Sequence, residues 1–262
     1  MSVTGPRGFV AAGIAAGVKA TGDPDLSLVA TADAGAVAAA ATFTSNKLAA
    51  GPVQVSRAHL AATGGRAAAV VLNSGNANAA NGATGVEHAE RMCATTAAAL
   101  GCQADDVLVC STGLIGIPFP IEVVEAGVPA LVAARSPEGG ADAARAIMTT
   151  DTVAKEVLVV RPSFSVGGMA KGAAMLAPNM ATMLAVLTTD AAAEPAALQA
   201  ALHEAVNRSF NRVVSDGCTS TNDTVIVQAS SRAPPRWCGW RWSARRATTT
   251  PTAGRGRSPA AS

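Results

Sequence analysis

The sequence predicts a mixed α/β protein in which sheets are covered by helices. Three observations lead there. Short apolar runs bounded by Gly, Asp, Asn or Pro alternate with longer segments of helical periodicity. Hydrophobic residues make up 49% of the chain and aromatics 3%, so the core must be closely packed layers of Ala, Val, Leu and Ile rather than a packing of rings. At 262 residues the chain can bury a large core without disulfides.

In chain order, Leu26–Ala30, Ala36–Phe43, Ala67–Leu72, Val107–Cys110, Glu156–Val160 and Met183–Leu187 read as strands, and Thr224–Gln228 is strand-like. Thr84 and Glu87 have the spacing of a capping box and predict a helix start, with Gly101 closing that helix. Weaker helical patterns run from Pro120 to Ala134 and from Gly139 to Met148. Pro195 suits a first helical turn, and Leu198, Leu202 and Val206 then form an apolar stripe to about Asn207. Gly8–Val18 is too rich in Gly and Ala for a signal-peptide core, and no apolar run approaches the roughly 18–20 residues of a membrane helix. A cytoplasmic location is expected.

Charge and aromatics are unevenly placed. Residues 230–262 carry seven Arg, no Lys, Asp or Glu, and all three Trp, so the net charge of +2 belongs to the tail and the body is mildly acidic. That tail lacks Val, Ile, Leu, Met and Phe, and is expected to be disordered because it cannot bury enough surface to offset its ordering entropy. Its composition matches an off-frame reading of GC-rich coding sequence. The alternative is an Arg/Trp contact to nucleic acid or membrane, but neither partner is expected. Cys93, Cys102, Cys110, Cys218 and Cys238 form no CxxC pair, and His59, His88 and His203 are far apart, so neither a redox dithiol nor a metal site is expected.

The Gly167–Gly172 stretch contains Lys171 but lacks the order of a phosphate-binding loop, and its glycines suit close backbone approach. Farther along, Pro178, Asn179 and Met180 lead through Ala181 to Thr182, just before the apolar run at Met183. A Thr in that position is either a structural residue entering a strand or a nucleophile. If the backbone is cut before Thr182, hydroxyl and α-amine share one residue, and an α-amine with a pKa near 8 is a ready base. Asn73, Asn76 and Asn78 read as turn residues that bond backbone.

Several segments then occur together in one order: Gly8–Lys19, Phe43–Lys47, Leu72–Ala79, Ser111–Gly116, Met148–Thr152, Lys171–Thr182 and Ser220–Thr224. On these blocks residues 5–228 resemble the ornithine acetyltransferase family, the glutamate N-acetyltransferases of arginine biosynthesis. The resemblance implies stacked mixed sheets flanked by helices in a self-processing N-terminal-nucleophile enzyme. Cleavage between Ala181 and Thr182 would give an α-chain region of residues 1–181 and a β-chain region starting over 182–229, with residues 230–262 as a tail.

Thr182 would take acetyl from N-acetylornithine and pass it to glutamate, without metal or organic cofactor, and acetyl-CoA is a further donor in some members. The family pattern assigns Thr112 and Gly113 to the oxyanion, and Thr149, Lys171 and Thr182 to substrate. It also implies two α and two β chains. Family members continue past Thr224 with further β-chain structure that has no counterpart here, so the chain reads as C-terminally truncated. The competing readings are an inactive fragment and a related self-processing aminopeptidase, whose nucleophile is typically Ser.

Overall fold

A computed structural model describes residues 2–173, 183–213 and 219–231. In chain order the elements are β1 (Phe9–Ile14), β2 (Leu26–Thr31), β3 (Val37–Phe43), α1 (Gly51–Ala62), β4 (Arg66–Ala67), β5 (Ala69–Asn76), α2 (Gly82–Leu100), β6 (Val107–Leu114), α3 (Ile121–Ala133), α4 (Gly140–Ala146), β7 (Lys155–Val160), β8 (Ser165–Lys171), β9 (Leu184–Ala192), α5 (Pro195–Arg208) and β10 (Thr224–Ser231). They form one sheet ordered β1-β2-β5-β6 and a second ordered β4-β3-β10-β9-β8-β7. Among the described residues β5/β6 and β10/β9 are the parallel pairs, and the others are antiparallel.

The two sheets stack face to face between helices, the mixed α/β architecture expected from the sequence. Alternate residues of the first sheet explain why. Val10, Ala12, Leu28, Val71 and Val109 face Met92, Cys93, Val124, Val128 and Leu131 of α2 and α3. Their neighbours Ala11, Val29, Val70, Leu72 and Leu108 face Ala39, Ala41, Met169, Val186 and Ile226 of the second sheet. The far side of that sheet, with Ala38, Ala40, Ala185, Val225 and Val227, receives Leu198, Leu202 and Val206 of α5. A strand covered on both faces needs apolar residues at every position, so these runs are continuous rather than alternating.

The structure adds elements that the sequence did not disclose. Gly/Ala-rich Phe9–Ile14 is an edge strand paired with β2, and the glycine-rich stretch before Lys171 is strand β8. In both, small residues admit a neighbouring layer: a Cβ on Gly13 would run into the α4 backbone at Asp142, and one on Gly167 into Ser2. Helix α1 is likewise new.

The expected capping box does not form. Helix α2 starts at Gly82, before Thr84, and its N-cap Asn81 makes no side-chain cap. The entry is organised by Asn78 instead, whose amide donates to the Gly85 carbonyl at 2.7 Å and whose Oδ1 accepts from Asn81 at 3.1 Å. In that first turn Gly85 packs closely against Gly51 of α1, where a Cβ on Gly51 would meet the Gly85 backbone. Gly101 closes α2 at φ 80°, as expected. The tail reading is corrected at its start, because Ser230 and Ser231 belong to β10, where Ser230 Oγ donates to the Arg7 carbonyl at 2.6 Å. Residues 232–262 lie outside the described residues. Among the described residues no helix is long and apolar enough to cross a membrane.

The outer edge of β6 is closed by side chains. Ser56 Oγ of α1 accepts from the Val109 amide at 2.8 Å and donates to the Val109 carbonyl at 2.7 Å, while His59 Nδ1 meets the Val107 carbonyl at 2.8 Å. A fully buried hydroxyl thus stands in for the missing strand. Ser56→Ala leaves both Val109 groups buried without partners and is expected to lower unfolding stability by about 1–3 kcal/mol, read as a lower urea midpoint at unchanged slope.

Candidate active site

The parallel pair β5/β6 of one sheet and strands β8, β9 and β10 of the other end at the same place. There a small cleft is lined by Ala77, Thr112, Gly113, Lys171, Met183 and Asp223, among others. Three of the predicted site residues, Thr112, Gly113 and Lys171, are therefore brought together. Ala181 and Thr182 lie outside the described residues; their described neighbour Met183 stands in the cleft wall at the start of β9. Lys171 and Leu184 are register partners across β8 and β9, so the chain leaves and re-enters the sheet beside the cleft.

Thr112 and Gly113 owe their position to an irregularity. The β5/β6 ladder breaks register at Gly75 and Asn76, which re-aims the end of β6. Gly113 has φ 134°, and a Cβ on it would sit on the backbone of Gly75 and Asn76. Only glycine fits that crossing.

Lys171 is 3% exposed, and its Nζ donates to Thr112 Oγ1 at 3.3 Å. An ammonium can only donate, so the Thr112 hydroxyl accepts and its own proton remains available to a group in the cleft. Burial pushes the Lys171 pKa down, and the nearby carboxylates of Asp151 and Asp223 pull it back. Asp151 holds the neighbouring backbone, accepting from the Gly172 amide at 2.8 Å and from the Thr149 amide at 3.4 Å, and pairs with Lys155. Burial opposes its charge, but Lys155, the Gly172 amide and Lys171 together hold its carboxyl below the ordinary value.

Thr149 is exposed and does not line the cleft. Its connection to Lys171 runs through Asp151. The residue before it, Met148, accepts at its carbonyl from Lys19 Nζ at 2.8 Å.

The third wall comes from the segment before β10. Asn222 Nδ2 donates to the Ala77 carbonyl at 2.7 Å and to the Ser111 carbonyl at 2.9 Å, which ties this segment to the ends of β5 and β6. Asp223 is 1% exposed; its Oδ1 accepts from the Met183 amide at 2.6 Å. Burial pushes its carboxyl up to about 7, against the Met183 amide, the Ser220 hydroxyl and Lys171.

Asn222 and Asp223 were not anticipated as site residues. The available signal was a polar cluster, Ser220–Thr224, abutting an apolar strand. The three Asn of the Leu72–Ala79 block bond backbone, as expected: Asn73 Nδ2 donates to the Asn76 carbonyl at 2.8 Å and Asn76 Nδ2 to the Pro118 carbonyl at 2.9 Å, with the Asn78 bond to Gly85 completing the set.

Two outcomes follow. Gly113→Ala is expected to cost about 1–3 kcal/mol, whereas Gly116→Ala, which also has positive φ but open space around it, costs at most about 1 kcal/mol; thermal unfolding of the pair checks this. Asp223 has a raised folded-state pKa, so its contribution is fully present below its unfolded value of 3.8 and is lost as pH rises through about 7. Asp223→Asn should remove that dependence. The unfolding free energy of the original chain should therefore fall relative to the variant between those two pH values, by on the order of a few kcal/mol in urea titrations.

Comparison with known proteins gives the family. Over 230 residues the chain is 51% identical to the Arginine biosynthesis bifunctional protein ArgJ of Thermobifida fusca, covering 88% of this chain and 59% of the relative. The chain thus spans about 59% of the length of these curated relatives. The crystal structure of an ornithine acetyltransferase from Mycobacterium tuberculosis, complexed with ornithine, superposes with a TM-score of 0.60 at 43% identity, over 68% of this chain and 94% of that one. The Arginine biosynthesis bifunctional protein argJ of Bacillus halodurans also gives a TM-score of 0.60, at 34% identity over 69% and 95% of the two chains. Residues 10–250 match the family as a whole, and the chain belongs to the ArgJ family.

Proposed function

We propose that this chain is a self-cleaving acetyltransferase of arginine biosynthesis that moves acetyl from N-acetylornithine to glutamate through an ester on Thr182. The observation that carries the reading is the meeting of Thr112, Gly113 and Lys171 in one cleft whose wall includes Met183, the residue after Thr182.

In the first reaction the Thr182 hydroxyl oxygen attacks the Ala181 carbonyl carbon, the C–N bond breaks, and the hydroxyl proton ends on the Thr182 nitrogen. Water then hydrolyses the ester, releasing the Ala181 carboxylate and restoring the Thr182 hydroxyl beside the α-amine already freed by the shift. In each turnover that amine takes the hydroxyl proton while the oxygen attacks the acetyl carbonyl of N-acetylornithine. The amide bond breaks, ornithine leaves with the proton, and the glutamate amine attacks the ester to carry acetyl away.

Both reactions build negative charge on a carbonyl oxygen. Thr112 and Gly113 are the donors we assign to it, and one such donor is commonly worth 10²–10³ in rate. A hydroxyl already engaged by Lys171 and a glycine that admits close approach suit that task. Lys171 is assigned to a substrate carboxylate as a buried point charge, and Thr149, though outside the cleft lining, to the substrate as well. No metal or organic cofactor enters this scheme, and acetyl-CoA is retained as an alternative donor. The location proposed is the cytoplasm and the assembly two α and two β chains, to be read by light scattering. We propose no nucleic-acid or membrane partner.

Intact-mass measurement tests the first reaction: two fragments separated between Ala181 and Thr182 are expected, and a single uncut mass in the Thr182→Ala variant. An uncut original chain after prolonged incubation would sink the reading. Transfer of labelled acetyl to glutamate is read separately, since a cleaved chain without transfer would fit the reading of an inactive fragment, whose support is the 59% coverage of its relatives. Lys171→Met is expected to lower transfer kcat/KM by roughly 10²-fold, the scale of a lost charge-assisted contact.

A further inference from the structure

Lys171 carries a cation into the layer between the sheets. Alternation along β8 sets Gly167, Met169 and Lys171 on one face, and Met169 belongs to the apolar packing against the first sheet. An ammonium there loses its hydration and keeps its charge only with a carboxylate close by. Four charged or titratable groups bear on it: Asp151 and Lys155 around the entry to β7, Asp223 before β10, and Lys19 after β1. Burial lowers the Lys171 pKa, the two carboxyls raise it, and the two lysines lower it.

The two carboxyls are not equivalent. Burial pushes Asp223 up to about 7, so around neutral pH it is charged only in part. Asp151 is buried as well, with its side chain 1% exposed, but the Lys155 ammonium, the Gly172 amide and Lys171 hold its carboxyl below the ordinary value. Asp151 is therefore the carboxylate that stays ionised across the neutral range. The bond it accepts from the Gly172 amide, at 2.8 Å, sets it beside the residue that follows Lys171, and its contact with the Thr149 amide holds the turn 149–151 onto the end of β8. From the other side, Lys19 Nζ donates to the Met148 and Pro24 carbonyls, each at 2.8 Å, and ties the same turn to the β1–β2 loop.

Resting on the reading that Lys171 meets a substrate carboxylate, we propose that Asp151 is a positioning residue for Lys171: it pins the end of β8 and is the fixed counter-ion that keeps a cation waiting in the cleft. Lys155, paired with the same carboxylate, sets how much of that negative charge Lys171 feels. A charge that meets the substrate in ground state and transition state alike acts on KM rather than on kcat.

The test reads charge and turnover separately. In the original chain labelled with ¹³C-lysine, the Lys171 Cε signal is identified by its loss in Lys171→Met and followed against pH. Its midpoint should lie lower in Asp151→Asn, which keeps an oxygen for the Gly172 amide but no charge. It should lie higher in Lys155→Met, which removes a like charge. Opposite displacements mark a counter-ion pair, whereas a residue that only supports the fold moves neither midpoint or moves both the same way. An unchanged midpoint in Asp151→Asn would overturn the inference.

In acetyl transfer Asp151→Asn should raise KM for N-acetylornithine roughly tenfold with kcat within about threefold, and the loss should grow as pH rises. With the α-carboxamide of N-acetylornithine, which has no carboxylate, original chain and variant should agree within about threefold. A loss confined to kcat, or an equal loss with the carboxamide, counts against the proposal and overturns it. Should Asp151→Asn fail to fold, Lys155→Met decides: a raised midpoint is expected, and an unmoved or lowered one overturns the counter-ion assignment. If the original chain transfers no acetyl, the acetyltransferase reading falls, and the ¹³C midpoints still judge Asp151 as the counter-ion on their own.

Discussion

The contact between the two sheets is the constraint on which the remaining features depend. It is lined by small and medium residues, Ala11, Val29, Val70 and Leu72 against Ala39, Ala41, Val186 and Ile226, with no aromatic ring among its fully buried members. Side chains of this size let the layers approach closely, and close packing at native density tolerates little displacement. The end of β6 and the ends of β8, β9 and β10 are thereby held against one another. A cleft made from two sheets is only as well defined as the interface between them.

Polar groups at that meeting point act as ties rather than as surface. Asn222 bridges the carbonyls of Ala77 and Ser111 at the ends of β5 and β6, Asp223 takes the Met183 amide just before β9, and Asp151 gathers the amides of Thr149 and Gly172. Each buried donor or acceptor that finds its partner removes a penalty that would otherwise be paid in full, and each fixes a backbone segment that carries a site residue. Lys171 donates to Thr112 among these groups, and the carboxylates of Asp151 and Asp223 favour its charged form against burial. The site is therefore assembled by side-chain to main-chain bonds between segments far apart in the chain.

Most of the fold was legible in the residue order, and the failures share a cause. Continuous apolar runs such as Leu26–Ala30 signalled strands, and the spacing of Leu198, Leu202 and Val206 signalled α5, because periodicity reports burial directly. Phe9–Ile14 and Ser165–Lys171 escaped because Gly and Ala carry little periodic signal; their strand character comes from the layers they must admit, at Gly13 and Gly167. The capping box failed because the helix already begins at Gly82, which places Thr84 and Glu87 inside it rather than at its start. Among the predicted site residues, Thr112, Gly113 and Lys171 came together, while Thr149 sits at one remove through Asp151.

The sequence by itself determined the layered class, through an apolar content held in small side chains, and it marked the segments that carry the site. What only the tertiary structure decided is which of those segments meet, and how. Asp223 is an unremarked acid in the sequence, one of several beside polar turn residues. Its place in the cleft wall depends on the strand pairing between β9 and β10 and on the ties that its neighbour Asn222 makes to Ala77 and Ser111, contacts whose partners lie forty to well over a hundred residues away. Pairings at that separation are set by how whole faces pack, which no local pattern encodes.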